Sequence, residues 1–230
     1  MTRAAGDCSH RRVTRAATLE LVVKPRLRGV LHQWAFAVSL LAGIGLVLEA
    51  ASVRARLAVA VYALSLAALF GTSALYHRVN WRTLRARRWM RRFDHTMIFV
   101  LIAGTYTPFA LLVLDGTLGV ALLVAVWSAA IAGAVFKLAW IDAPGWLGAT
   151  TYISIGWIAV IAVPQLVDRL GIAAVAALAL GGVLYSAGGV IYARKRPDPA
   201  PSVFGYHELF HSLVIAAAAL QYLVVAFWIL

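Results

Sequence analysis

The segment His207-Glu208-Leu209-Phe210-His211 carries two histidines four residues apart. On a helix that spacing puts both imidazoles on one face, about one 5.4 Å turn apart. Such a pair can grip a single metal ion. The segment opens the last long apolar run of the chain, where it would enter a membrane. Ionisable groups at membrane depth are costly, so they mark function by default. A third imidazole, His77, closes an earlier apolar run, with Ser73 one turn before it. Asp94 and His95 stand together before another run, and His32 lies just inside the first. Cys8 is the only cysteine. There is therefore no disulfide framework and no thiolate metal site. Any transition metal must be held by imidazole and carboxylate, which suits zinc best among the abundant choices.

These residues need elements to position them, and composition names the class. The chain is 63% hydrophobic and 13% charged, with a mean hydropathy of +0.85 over 230 residues. Ordinary soluble domains carry roughly 25% charged residues. Apolar stretches recur at Val30–Leu48, Leu57–Tyr76, Thr96–Leu114, Leu118–Phe136, Trp146–Val167, Leu170–Ala193 and Leu209–Leu230. Each reaches the ~17–25 residues that cross a bilayer as a helix. The sequence predicts an all-α, polytopic bundle of seven transmembrane helices over 29–230, preceded by a basic tail over 1–28. That tail lacks an apolar core and a small-residue cleavage site, so it does not read as a signal peptide.

Net charge is +12, and its distribution argues against nucleic acid. With the tail on the cytoplasmic side, eighteen of the Lys and Arg residues fall inside and three outside, namely Arg54, Arg56 and Arg169. That asymmetry is a positive-inside signal. It predicts a cytoplasmic N-terminus, an external C-terminus and attraction to anionic lipid headgroups. The same topology sends His32, His77, His95, His207 and His211 to the cytoplasmic face, leaving His10 in the tail. Counting charges takes no account of histidines, so the coincidence has weight.

Each residue also has a plainer reading. His32 and His95 read better as hydrogen-bonded interfacial groups than as ligands. Asp94 can cap a helix or pair with Arg91 or Arg92, but a carboxylate beside a metal is the better use. Ser73 can back-bond to its own helix or hold a metal-bound water. His-Glu-x-x-His also reads as a zinc-protease helix with Glu208 as base. Asp115, the carboxylate that would complete such a site, belongs to the outer face, about 30 Å away. Glu208 is rotated about 100° from His207, which favours a supporting role over ligation.

Ser73-Ala74-Leu75-Tyr76-His77, Phe93-Asp94-His95, Gly104-Thr105-Tyr106-Thr107-Pro108 and the His207–His211 segment together resemble the hemolysin III family. This is the bacterial branch of the PAQR proteins, which include the adiponectin receptors, and it is similar at a distance to the alkaline ceramidases. The resemblance runs from Pro25 to Leu230. It implies seven helices and a zinc ion near the cytoplasmic face, with His77, His207 and His211 as ligands. Asp94 and Ser73 would hold the water at the fourth position.

Three neutral histidines leave one tetrahedral position on zinc for water, and the ion lowers that water's pKa to about 7. Asp94 would accept the proton and return it to a leaving group. At headgroup depth the natural target is an acyl amide or ester bond of a membrane lipid. The other reading is a membrane-state sensor with structural zinc. The Ser73–Asp94 pair separates the two, since a closed structural site needs no water-holding groups. A retinal protein would need a lysine in the last helix, and none is present. The remaining features read as architecture. Trp81, Trp89, Trp140 and Trp146 form an aromatic belt. Gly181, Gly182, Gly188 and Gly189 allow close packing. Pro108 should bend the third helix, Pro164 should loosen the fifth, and Pro197, Pro199 and Pro201 make an extended connector into the last helix.

Overall fold

The computed structural model describes residues 25–230. The tail positions Arg3, Cys8, His10, Arg11, Arg12, Arg15 and Lys24 lie outside the described residues. The described chain is helical, with an isolated antiparallel bridge between Ala200 and Phe204 beside the helices. Its helices are α1 (Val30–Glu49), α2 (Val53–Arg78), α3 (Leu84–Leu112), α4 (Gly116–Ala139), α5 (Gly145–Gly156), α6 (Val163–Arg194) and α7 (Tyr206–Val224). Among the described residues, six continuous helical stretches are long and apolar enough to cross a membrane. The result is a membrane helical bundle.

Local sequence explains where the helices start. Ser52 caps α2 by accepting from Ala55 N at 3.1 Å, and Thr83 caps α3 by accepting from Ala86 N at 3.1 Å. A capping hydroxyl satisfies one of the orphan N–H groups of a first turn. α3 begins twelve residues before Thr96, where the apolar run starts. Arg85 to Arg92 are helical, because Leu, Arg, Ala and Met are strong helix formers and their guanidinium groups find partners. Arg88 and Arg91 bond the Asp142 carboxylate at 2.7 and 3.0 Å, and Arg92 donates to the Leu138 carbonyl at 2.8 Å. Asp94 consequently sits well inside α3 and caps nothing. The helix also continues through Pro108 to Leu112.

α2, α3 and α4 pack closely. A side chain at Gly104 would overlap Ser65, and one at Gly133 would overlap the Phe99 ring. Small residues thus set the interhelical spacing, as expected where lipid offers no competing hydrophobic drive. Buried hydroxyls return to their own helices: Ser65 to Tyr62 O, Thr105 to Leu101 O and Thr107 to Ala103 O, at 2.7 to 2.9 Å.

The stretch Gly145–Arg194 has 50 residues, about 75 Å if it were one straight helix, far more than the ~30 Å hydrocarbon layer. It does not run straight. Beyond Gly156 the chain tightens into a 3-10 segment, Trp157–Ala162, ahead of Pro164. At Gly171 it breaks, with φ 82° and ψ 166°, a conformation open essentially to glycine alone. The two limbs fold back on each other: Trp157 Nε1 donates to Ser186 Oγ at 2.9 Å, 29 residues away. Gly182 and Gly189 meet Trp157 and Ile153 of one limb, while Gly181 and Gly188 meet α7. Tyr106 of α3 steadies the 3-10 segment. Its hydroxyl donates to Gly156 O at 2.7 Å and accepts from Ala159 N at 2.8 Å. The expected weakness around Pro164 is therefore real, and it is larger than a kink.

Candidate metal centre

His77 occupies the last turn of α2, and His207 and His211 occupy the start of α7. Helix–helix packing brings them together across 130 residues of sequence, with His77 Nε2 3.1 Å from His207 Nε2. One ring nitrogen from each of the three lies within 4.8 Å of the others. All three side chains are buried. Two nitrogens bound to one tetrahedral zinc stand about 3.3 Å apart, from Zn–N bonds of about 2.0–2.1 Å. The His77–His207 spacing is close to that value, and His211 lies within 4.8 Å of both. His211 Nδ1 has no hydrogen-bond partner, an arrangement that costs about 1–3 kcal/mol in a buried group. The buried triad can hold a metal ion.

Neighbouring elements hold these rings in place. Gly29, at the start of α1, has φ 78°, and a Cβ there would stand 2.6 Å from His77 Cβ. Only a glycine lets the backbone turn so close to that histidine. His32 of α1 stacks on His211, with ring centroids 3.7 Å apart and planes 13° from parallel, and Phe70 packs against it.

Asp94 approaches from α3. Its Oδ2 lies 3.9 Å from His77 Nε2 and 3.8 Å from His95 Nδ1. Ser73 hydrogen-bonds the Asp94 carboxyl group from α2. The structure thus gathers Ser73, His77, Asp94, His207 and His211 at one end of the bundle. His95 stands beside them with both nitrogens engaged, by Arg91 O at 2.8 Å and Tyr192 Oη at 3.0 Å. It is a wall of the site.

Glu208 faces elsewhere. It is fully buried, bonded by Arg28 Nε at 2.5 Å through Oε1 and by Gly205 N at 2.9 Å through Oε2. The protease reading, with Glu208 as base, fails because both carboxylate oxygens already serve a helix cap and an ion pair. Asp115 belongs to the far end of α3, where it pairs with Arg169 and its backbone N donates to Gln165. Sequence reasoning missed three contributors. Asp198 accepts from Tyr206 N at 2.7 Å, occupying the space that a side chain at Gly205 would need. Arg28 reaches Glu208 across 180 positions. Residues 26 and 27 also dock on the α6–α7 connector, donating to Ser202 O and Val203 O at 3.1 and 3.2 Å. Asp198 lies eight positions before Tyr206, beyond the reach of a local capping pattern, and Arg28 gave no signal either.

A largely apolar cavity opens from this site, with about 1170 Å³ of empty space including its open mouth. Ser73, Asp94 and His211 line one end, and Tyr106, Trp157 and Gln221 the other. Ten residues of α7 separate His211 from Gln221, about 15 Å. A second cavity of about 770 Å³ adjoins it around Tyr106 and Gln221 and continues to Leu166.

Comparison with known proteins shows the family. The model of a family described as "Haemolysin-III related" matches residues 21–222. The chain is 37% identical to a hemolysin-3 homolog of Bacillus subtilis over 73% of its own length and 75% of the relative's. It is 32% identical to hemolysin-3 of Bacillus cereus, over 76% and 77% respectively. It is 26% identical to the human monocyte to macrophage differentiation factor, over 70% and 66%. This chain belongs to the haemolysin-III-related family, as a multi-pass integral protein of the bacterial cytoplasmic membrane.

Proposed function

We propose that this protein is a zinc-dependent hydrolase of membrane-lipid acyl amides or esters, acting in lipid homeostasis. The observation that carries the reading is the Ser73–Asp94 pair, with Asp94 facing His77, at one end of an apolar cavity. A closed structural site would need neither group. The chain would cross the bilayer seven times, with residues 145–170 and 172–194 as separate crossings divided at Gly171. Its charge asymmetry favours an N-terminus in the cytoplasm, which puts the site at inner-leaflet headgroup depth, where lipid acyl linkages lie.

His77, His207 and His211 would hold the zinc, which supplies Lewis-acid polarisation of the acyl carbonyl and a nucleophile at neutral pH. The chain's own groups do the rest. The cavity beyond His211 binds the acyl chain and shields the linkage from bulk water. Asp94 takes a proton on Oδ2 and returns it to the leaving amine or alcohol. Ser73, bonded to the Asp94 carboxyl group, fixes which oxygen faces the triad.

Two measurements test the reading. Metal analysis of protein purified without chelators should find about one zinc per chain, as a single three-histidine site implies, and none in His211→Ala. Fatty-acid release from lipid amides and esters should fall by roughly 100-fold or more in Asp94→Asn while zinc is retained, the scale of a lost general acid–base. Full zinc occupancy with no release from any acyl lipid would overturn hydrolysis and leave a membrane-state sensor with structural zinc.

A further inference from the structure

Lys137 lies in the last turn of α4, at the end of the bundle that carries the histidines, and its side chain is only 3% exposed. Its ammonium stands 5.4 Å over the Phe136 ring and 2.9 Å from where a Cβ on Gly148 would be. α5 leaves room for the charge with a glycine. Among the described residues, neither a hydrogen bond nor an ion pair engages that ammonium. Its electrostatic neighbours are Arg91 and His95, which do not neutralise it. The nearby carboxylates are committed. Asp142 bonds Arg88 and Arg91, and Asp94 bonds Ser73. The α4 carbonyls at this end carry partial negative charge, and Arg92 already takes that of Leu138.

Lys137 is a buried residue whose ammonium has no counter-charge, a costly placement that proteins offset by pairing the group or using it. The missing partner is an anion, and the surroundings say which. Trp140 and Trp146, 52% and 62% exposed, flank the α4–α5 connection, as indoles do at headgroup level. The abundant anion at that level is phosphate. Arg91 gives one N–H to Asp142, and a guanidinium has five to offer.

We propose that Lys137, with Arg91 beside it, binds the phosphate of a membrane phospholipid headgroup in the leaflet on the histidine side. The ammonium supplies a point charge with three donors, and Arg91 adds its remaining N–H groups. The site stands apart from the histidine triad and does not depend on hydrolysis.

The test uses the full chain in detergent and follows its thermal midpoint against added dioctanoyl phosphatidylglycerol, dioctanoylglycerol or inorganic phosphate. Wild type should be stabilised by the phospholipid and not by dioctanoylglycerol. In Lys137→Met the half-saturating concentration should rise about tenfold or more, as for a lost charge-assisted hydrogen bond. Gly148→Ala, which crowds the ammonium, should show the same loss with the lysine still present. Arg85→Gln, an exposed arginine of α3, should respond like wild type. If inorganic phosphate alone reproduces the Lys137-dependent shift, the site stands and free phosphate is its source. An undiminished response in either monodisperse variant, or an equal loss in Arg85→Gln, overturns the proposal.

Discussion

Glu208 and His211 sit three residues apart on α7, both buried, and their surroundings differ in kind. Glu208 has a partner for each oxygen, from Arg28 and from the backbone of Gly205. His211 has a ring nitrogen, Nδ1, with none, and its ring stacks on His32. One side of the helix is saturated and the other is left open. A buried polar group that is satisfied contributes to holding the fold; one that is not carries a cost that a bound ion or an ordered water offsets. The comparison separates the two roles in a His-Glu-x-x-His segment that by its letters alone could be a protease helix.

The contrast can be broken by substitution. Glu208→Ala should have the largest effect on stability, lowering it by about 3 kcal/mol, because it strands Arg28 and the Gly205 N–H; thermal unfolding of the detergent-solubilised chain reads this directly. A Glu208→Ala protein as stable as wild type would end the distinction. His211→Leu should act in the opposite direction. In excess chelator it should be more stable than wild type by about 1 kcal/mol, since an unpaired buried nitrogen is exchanged for an apolar group of similar size. A loss of stability there would mean that the nitrogen has a structural partner. The smallest effect belongs to Asp198→Ala, an exposed cap on the saturated side, at about 0.5 kcal/mol. Its metal content should equal that of wild type.

Much of this was legible in the residues. The four-residue histidine spacing, His77 with Ser73 one turn away, and the charge asymmetry between loops are local or compositional signals, and they pointed to the five positions that the helices bring together. The hidden parts are non-local. Nothing near Arg28 announces a carboxylate 180 positions later. The start of α3 was concealed because arginines read as loop in a hydropathy pattern, although their partners on Asp142 and Leu138 belong to the folded state. The apolar stretch from Gly145 to Arg194 reads as helical, but its residues do not announce the 3-10 segment, which depends on Tyr106 from another helix.

The Arg28–Glu208 pair also bears on how the chain is made. At about 5–20 residues per second, translation of the 180 positions between them takes roughly 10–40 s. Arg28 therefore waits at the membrane while α1 to α6 are inserted, and α7 arrives carrying an acidic group that the lipid interior rejects. Release of that last helix from the insertion machinery would then depend on prior assembly of the first. A nascent chain with Arg28 replaced should linger at the translocon or be cleared by membrane proteases, even though every apolar segment is intact.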